Sequence, residues 1–224
     1  MISIRQTLFD LVTILFKRPL ALFWSIVVGL MASLSGGILL GTGMAALQRY
    51  LYAGIKGEKG HRFDWSGTFS VTHIALSLIY LLVSFFTLLV FIGTPPVVIL
   101  LVNTMVSLYF LYVFLLAEPN MRASQVFQQN FQLIRKGDLW KHVALIFLWA
   151  FLQYLVGDRI EQPELPTDLT QMTTQQAQAL LNYFTWLGLF SWVSFVVASI
   201  VSASWYHQLT SKAEPESKDK IPSA

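Results

Sequence analysis

The chain has 224 residues, 55% hydrophobic and 12% charged, with a net charge of +3 and no cysteine. A soluble domain carries about 25% charged residues, so the composition excludes an ordinary water-soluble globule. The missing cysteines exclude disulfides, thiolate metal sites and a cysteine nucleophile.

Charge is scarce in four apolar stretches, 19–48, 65–117, 142–157 and 169–211. They leave room for one membrane domain, expected over 1–211, with a polar, disordered cytoplasmic tail over 212–224. In chain order, Ile2–Lys17 has its apolar side chains (Ile4, Leu8, Leu11, Val12, Leu15) at helical spacing, with Arg5, Gln6, Asp10, Thr13 and Lys17 elsewhere. It reads as an amphipathic helix lying in the headgroup layer and ended by Pro19. Lys17 and Arg18 follow the apolar residues instead of preceding them, so a cleaved signal peptide is not expected.

The stretch 19–48 is too short for two spans of about 20 residues each. One reading is a re-entrant hairpin of two short helices hinged at Ser35-Gly36-Gly37, because adjacent glycines are poor helix residues. The other is one long tilted span. The hairpin is preferred, because basic residues flank the stretch on both sides.

Residues 65–117 contain no Asp, Glu, Lys or Arg and break at Gly93-Thr94-Pro95-Pro96. They read as two spans and a tight turn. Two further interfacial helices are expected, at Leu47–Lys56 and Ser124–Lys136. Each ends in Lys-Gly (Lys56-Gly57, Lys136-Gly137) and leads to a tryptophan (Trp65, Trp140) and a span, which makes a weak internal repeat. The third span is His142–Gly157, extended by Leu139, Trp140 and a snorkelling Lys141. Residues 158–178 form an acidic, then Thr- and Gln-rich, external loop with room for a surface helix after Thr173-Thr174. The fourth span is Tyr183–Gln208, anchored by Trp186 and Trp205.

Basic loops stay in the cytoplasm. Every Lys and Arg of the 15 except Arg159 lies in the termini, in 49–64 or in 118–141. Those segments are expected to be cytoplasmic, including the C-terminus, and 93–96 and 157–178 external.

Two sets of residues stand out as candidate sites. The first is a ladder of small side chains, Ser25, Gly29, Ser33, Gly37, Gly41 and Ala45, with a shorter one at Ser194, Ala198 and Ser202. Small residues let helices approach closely in lipid, either within the chain or against a partner or second copy. A four-residue step drifts by about 40° each time, so one neighbour cannot receive the whole ladder. The second set is basic: Arg49, Lys56, Lys59, Arg62, Arg135, Lys136 and Lys141. It sets topology and offers a surface to anionic lipid or to a protein partner. Polar groups inside the spans are few: His73, Thr87, Asn103, Gln153 and Asn182. His73 and Asn103 read as interhelical hydrogen-bonding groups. No nucleotide, metalloprotease or hydrolase fingerprint occurs; no catalytic residue, cofactor, metal or nucleic-acid partner is expected.

The order of Gly41-Thr42-Gly43-Met44-Ala45-Ala46-Leu47-Gln48-Arg49, Phe63-Asp64-Trp65, a Pro-containing turn, Arg122-Ala123-Ser124 and Arg135-Lys136-Gly137 resembles bacterial inner-membrane families related to the membrane domain of glycerophosphodiester phosphodiesterases. The resemblance covers roughly residues 20–208. It implies a helical bundle in a bacterial inner membrane. In that family the chemistry sits in a separate soluble domain, so the resemblance implies no enzyme here.

The expected fold is therefore an all-α polytopic bundle: four full spans, an N-terminal re-entrant hairpin or single span, and interfacial helices. The expected function is a non-catalytic accessory subunit, assembly factor or lipid-organising scaffold. The alternative is a small transporter or channel with its site at the hairpin, since broken helices and repeats mark transporter sites.

Overall fold

The computed structural model describes residues 2–58, 62–91, 94–157, 159–160, 163 and 172–211. The tail 212–224, Lys59 and most of the acidic loop lie outside them. The described elements are all helical: α1 Ile4–Lys17, α2 Leu20–Leu34, α3 Leu40–Ile55, α4 Val71–Phe91, α5 Pro96–Phe110, α6 Val113–Leu116, α7 Ala123–Lys136, α8 Leu139–Gly157 and α9 Thr174–Thr210. Three stretches among them are long and apolar enough to cross a bilayer, Pro96–Leu116, Leu139–Gly157 and Thr174–Thr210. A fourth is added if α1 and α2, which meet at 90°, count as one broken span. α4 has 21 residues, and its apolar part is assigned over Val71–Thr87.

The break at 35–39 falls where the glycines place it. Gly36 and Gly37 have φ of +59° and +87°, the left-handed region that costs other residues most. The chain then reverses: Val28 lies beside Gly43, and Arg18 lies beside Gly54. α2 and α3 are therefore an antiparallel pair, and no single helix runs through 19–48.

α3 differs from its expected role. The stretch Leu47–Lys56 is not a separate interfacial helix; it is the second half of a helix that touches α1, α2, α4, α6 and α9. Leu47, Gln48, Tyr50, Leu51 and Ala53 are all buried. Its polar and aromatic residues meet other helices instead of headgroups. The Lys-Gly stops also differ in detail: the left-handed residue is Gly57 after α3 but Asp138, not Gly137, after α7.

α1 is amphipathic in the inverse sense to a soluble helix. Thr7, Asp10 and Ile14 are buried, whereas Ile4, Leu8 and Val12 are more than half exposed. The apolar face suits a lipid surround. The polar face is satisfied by α9: the Ser204 hydroxyl donates to Asp10 Oδ2 at 2.6 Å, and Trp205 Nε1 donates to Thr7 Oγ1 at 3.1 Å.

α9 is one helix of 37 residues, so the separate surface helix and span expected after Thr173 are continuous. Thr173 and Gln176 form its capping box. At about 1.5 Å per residue it is about 55 Å long, well beyond the ~30 Å hydrocarbon core of a bilayer. Its buried residues all lie between Ser194 and Leu209, so the N-terminal half carries little packing.

The core has three parts. Ile14, Val28, Leu47, Leu51 and Ile200 join α1, α2, α3 and α9. Ala45, Leu76, Phe110, Phe114 and Val126 join α3 and α4 to α5, α6 and α7. Tyr112, Ile134, Ile146, Trp205 and Leu209 tie α6, α7, α8 and α9 at one end.

Candidate functional site

The basic segments converge at that same end. The Ile2 carbonyl accepts from Lys141 Nζ, and the Glu58 carbonyl accepts from Arg18. Ser3 N–H donates to Gln208 Oε1 at 2.7 Å. The residues expected to form a basic surface divide into two groups. Arg49 is half-buried and turned inward: its guanidinium donates to the Ala117 carbonyl at 2.6 Å and reaches the Gly67 carbonyl at 3.5 Å. Together with Lys141 it staples backbone. Lys56, Arg62, Arg135 and Lys136 are exposed; Lys56 sits 3.6 Å from Glu58 and 5.3 Å from the centre of the Tyr52 ring.

The small-residue ladder also divides, because the chain reverses halfway along it. Ser25 is buried and accepts a hydrogen bond from Trp192 Nε1 at 2.9 Å. Gly29 and Ser33 are exposed, and a Cβ on Gly29 meets nothing within 4 Å. Gly37 is in the turn, and Gly41 and Ala45 are buried in α3. A Cβ on Gly41 would come within 2.5 Å of the His73 carbonyl oxygen. In α9, Ser194 and Ser202 are buried and Ala198 is exposed.

His73 and Ser77 build the joint between α3 and α4. Ser77 Oγ accepts the Gly41 N–H at 2.7 Å and donates to the His73 carbonyl at 2.9 Å. It thereby satisfies one of the N–H groups that the start of a helix leaves unpaired. His73 Nδ1 is 2.7 Å from the Ser70 hydroxyl, and the ring is fully buried. Among the described residues no three His, Cys, Asp or Glu converge on a metal position.

Among the described residues, one feature with room for a ligand is a cleft of about 670 Å³. It exists because α8 packs mainly on α5, and α9 mainly on α3. α8 and α9 meet at the basic end, where the His142 and Trp205 rings lie 5.5 Å apart. Farther along they leave the cleft between them, floored by α3, α4 and α5. Phe114, Leu145, Trp149, Phe195 and Val201 supply apolar wall; Gln48, Ser107, Gln153 and Ser202 supply polar points. None of its described lining residues is Asp, Glu, Lys, Arg or His. Ala198 and Ser191 of α9, with Ile4 and Leu8 of α1, form an exposed rim. An adjoining recess of about 340 Å³ shares Tyr80, Ser107, Ile146, Trp149 and Gln153 with the cleft and adds Asn103 and Thr87.

Sequence reasoning did not single out Gln48 or Asp10. Both sit in segments whose helical pattern shows polar residues on a face that an aqueous surround would wet. Asp10 was legible as a carboxylate flanked by apolar residues; the signal for Gln48 is its position one turn after buried Ala45, in a helix too apolar to be surface. Asn103, read as an interhelical hydrogen-bonding group, and Gln153, one of the few polar residues of the spans, both line the recess. No family model, curated protein or solved structure matches this chain.

Proposed function

We propose that this is a non-catalytic integral membrane protein that holds lipid in a lateral cleft and works as a lipid-organising scaffold or accessory subunit. The observation that carries the reading is the cleft between α8 and α9: about 670 Å³, apolar-walled and free of described charged lining residues. Ligand pockets fall in the range of roughly 300–1,000 Å³, and charge inside such a site is what transport of ions or intramembrane chemistry ordinarily uses.

In this reading α4, Pro96–Leu116, α8 and α9 are four full spans. The α2–α3 pair enters the bilayer and returns, covered by α4 and α9, as irregular backbone at that depth requires. The basic end faces the cytoplasm with the C-terminus, and Lys56, Arg62, Arg135 and Lys136 face anionic headgroups or a partner. The resemblance over residues 20–208 supports a bacterial inner membrane.

The test is lipid retention. Native mass spectrometry of the full chain released from mild detergent is expected to show bound lipid-sized mass. Ala198→Trp, which fills the cleft from its exposed rim, is expected to reduce that mass without loss of folded protein. Lipid-free protein, or retention unchanged by Ala198→Trp, would overturn the reading. The recess with Asn103, Thr87 and Gln153 favours a second reading, a small transporter. That reading predicts solute flux in proteoliposomes that Asn103→Ala abolishes.

A further inference from the structure

The recess beside the cleft differs from it in chemistry. Six of its ten described lining residues carry a hydroxyl or a carboxamide, and none carries a charge. They sit at helical spacing on three helices: Tyr80, Ser84 and Thr87 on one face of α4, Asn103 and Ser107 on one face of α5, and Gln153 on α8. α4 and α8 both pack on α5 and hardly on each other, so the three polar faces border one gap.

The polar groups of this gap are left open. Elsewhere in the bundle a helical hydroxyl bonds back to the carbonyl one turn earlier, as Ser77 does to His73, Thr104 to Leu100 and Ser199 to Phe195. Ser84, Asn103, Ser107 and Gln153 have no side-chain hydrogen bond to another described residue. They are also reachable: Asn103 and Ser107 are exposed, and Ser84 and Gln153 are only partly buried. A carboxamide that faces hydrocarbon without a partner is costly. Two carboxamides and two hydroxyls around one gap call for a partner that both donates and accepts.

Position and shape say what that partner is. Thr87, Asn103 and Gln153 lie four, seven and four residues from the helix ends at Phe91, Pro96 and Gly157, about 6–10 Å at 1.5 Å per residue. Those ends are opposite the basic end, where α8 begins. From there Tyr80, Ser107, Ile146, Trp149 and Gln153 continue the recess into the apolar cleft. The α9 wall of the cleft runs from Phe190 to Trp205, about 22 Å, and Trp205 belongs to the cluster at the basic end. One leaflet of a hydrocarbon core is about 15 Å thick, so the wall is long enough for a full acyl chain. A polar chamber that opens into an apolar slot matches a molecule with a polar head and one long chain. The described linings of both hold no cation for a phosphate or carboxylate and no anion for an ammonium. The head that fits is therefore uncharged.

We infer that recess and cleft together take one long-chain lipid with an uncharged, multiply hydroxylated head. The head bonds to Asn103, Gln153, Ser84 and Ser107 in the recess, and the chain lies in the cleft. The inference rests on the lipid-holding reading and adds the class of the lipid and the side chains that select it.

Two chain-matched probes test it: 1-(9,10-dibromostearoyl)glycerol, whose head carries free hydroxyls, and methyl 9,10-dibromostearate, whose head carries none. Trp149 lines both recess and cleft. Bromine quenching of its fluorescence, taken as the difference between the unaltered protein and Trp149→Phe, reports occupancy of the full-length protein in zwitterionic micelles. One neutral hydrogen bond is worth roughly fivefold in affinity, so the acylglycerol is expected to bind roughly 5–25-fold tighter than the ester. Asn103→Leu combined with Gln153→Met should bring that ratio close to one and leave ester binding unchanged. Should the double variant fail to fold, Asn103→Leu alone, at an exposed position, should lower the ratio severalfold. Equal binding of the two probes to the unaltered protein would overturn the inference, showing that water suffices for the recess, and would leave the lipid-holding reading standing. A preference unchanged in either variant would also overturn it. Free glycerol that displaces the acylglycerol as well as unbrominated 1-stearoylglycerol does would give the recess to a soluble polyol and overturn the lipid assignment. No Trp149 quenching by either probe would overturn both the inference and the lipid-holding reading.

Discussion

Asn130 of α7 closes a break in the helix that precedes it by 18 residues: the Tyr112 N–H donates to Asn130 Oδ1 at 2.9 Å. The carboxamide nitrogen donates in return to the carbonyls of Leu108 and Tyr109, at 3.3 and 3.0 Å. The three backbone groups belong to the junction at Leu111–Tyr112, where α5 stops and α6 begins. Inside a membrane protein such groups have no water to fall back on, so one buried side chain fixes where the Pro96–Leu116 stretch is broken. Leucine at this position has similar size and no hydrogen-bonding capacity. Asn130→Leu is expected to destabilise the fold by about 2–4 kcal/mol, with each unsatisfied group costing roughly 1–3 kcal/mol less relaxation. The thermal midpoint in detergent measures it, and a midpoint equal to that of the unaltered protein would remove Asn130 from this role.

The glycines separate cleanly. Gly41 faces the His73 carbonyl and the Ser77 hydroxyl, where a Cβ would sit 2.5 and 2.6 Å away, and Gly29 faces nothing within 4 Å. Gly41→Leu should destabilise by about 3 kcal/mol through overpacking and lower the yield of folded protein severely. Gly29→Leu should give a near-normal yield. Fluorescence-detected size exclusion compares them; similar profiles for both would contradict the α3–α4 packing.

Asp10 and Ser204 provide an independent check on α1. The Asp10 carboxyl group accepts from Ser204 and from Gln6 Nε2, at 2.6 and 2.7 Å. Asp10→Leu should destabilise by roughly 1–3 kcal/mol, the cost of leaving buried donors unpaired. Lys17→Ala, at an exposed position, should change nothing measurable. A double-mutant cycle of Asp10→Leu with Ser204→Ala should show coupling; strict additivity would place α1 away from α9.

Topology is open to direct measurement. Reporters at the N-terminus and after Gly57 are expected in the cytoplasm, and one at Pro163 outside. A reporter at the N-terminus found outside, with Gly57 inside, would contradict the re-entrant placement of α2 and α3.

The exposed basic residues should act on lipid and not on folding. Each contributes about 1 kcal/mol near an anionic surface. Replacing Lys56, Arg62, Arg135 and Lys136 with Gln should weaken partition to anionic vesicles by orders of magnitude relative to neutral ones, once orientation has been verified. Arg49→Gln should instead lower the thermal midpoint, because its guanidinium holds the Ala117 carbonyl.

The sequence by itself determined the class of the molecule and several of its joints. Charge-free runs demand a lipid surround, glycine pairs and Lys-Gly steps end helices, and those rules act over a few residues. The break at Gly36-Gly37, the α7 helix and the start of α8 at Leu139 were legible for that reason. Only the tertiary structure decided which face of each helix meets protein. In lipid the outward face is as apolar as the inward one, so periodicity loses its meaning as a burial signal. That is why Leu47–Lys56, read as interfacial, is the second half of the central helix, and why Thr7 and Asp10 point inward from α1. It is also why the four-residue ladder from Ser25 to Ala45 scatters over a turn and two antiparallel helices. Gln48 shows itself as a buried acceptor only in the tertiary structure, because whether an acceptor is buried and unpaired is decided by its distant neighbours and not by its own segment.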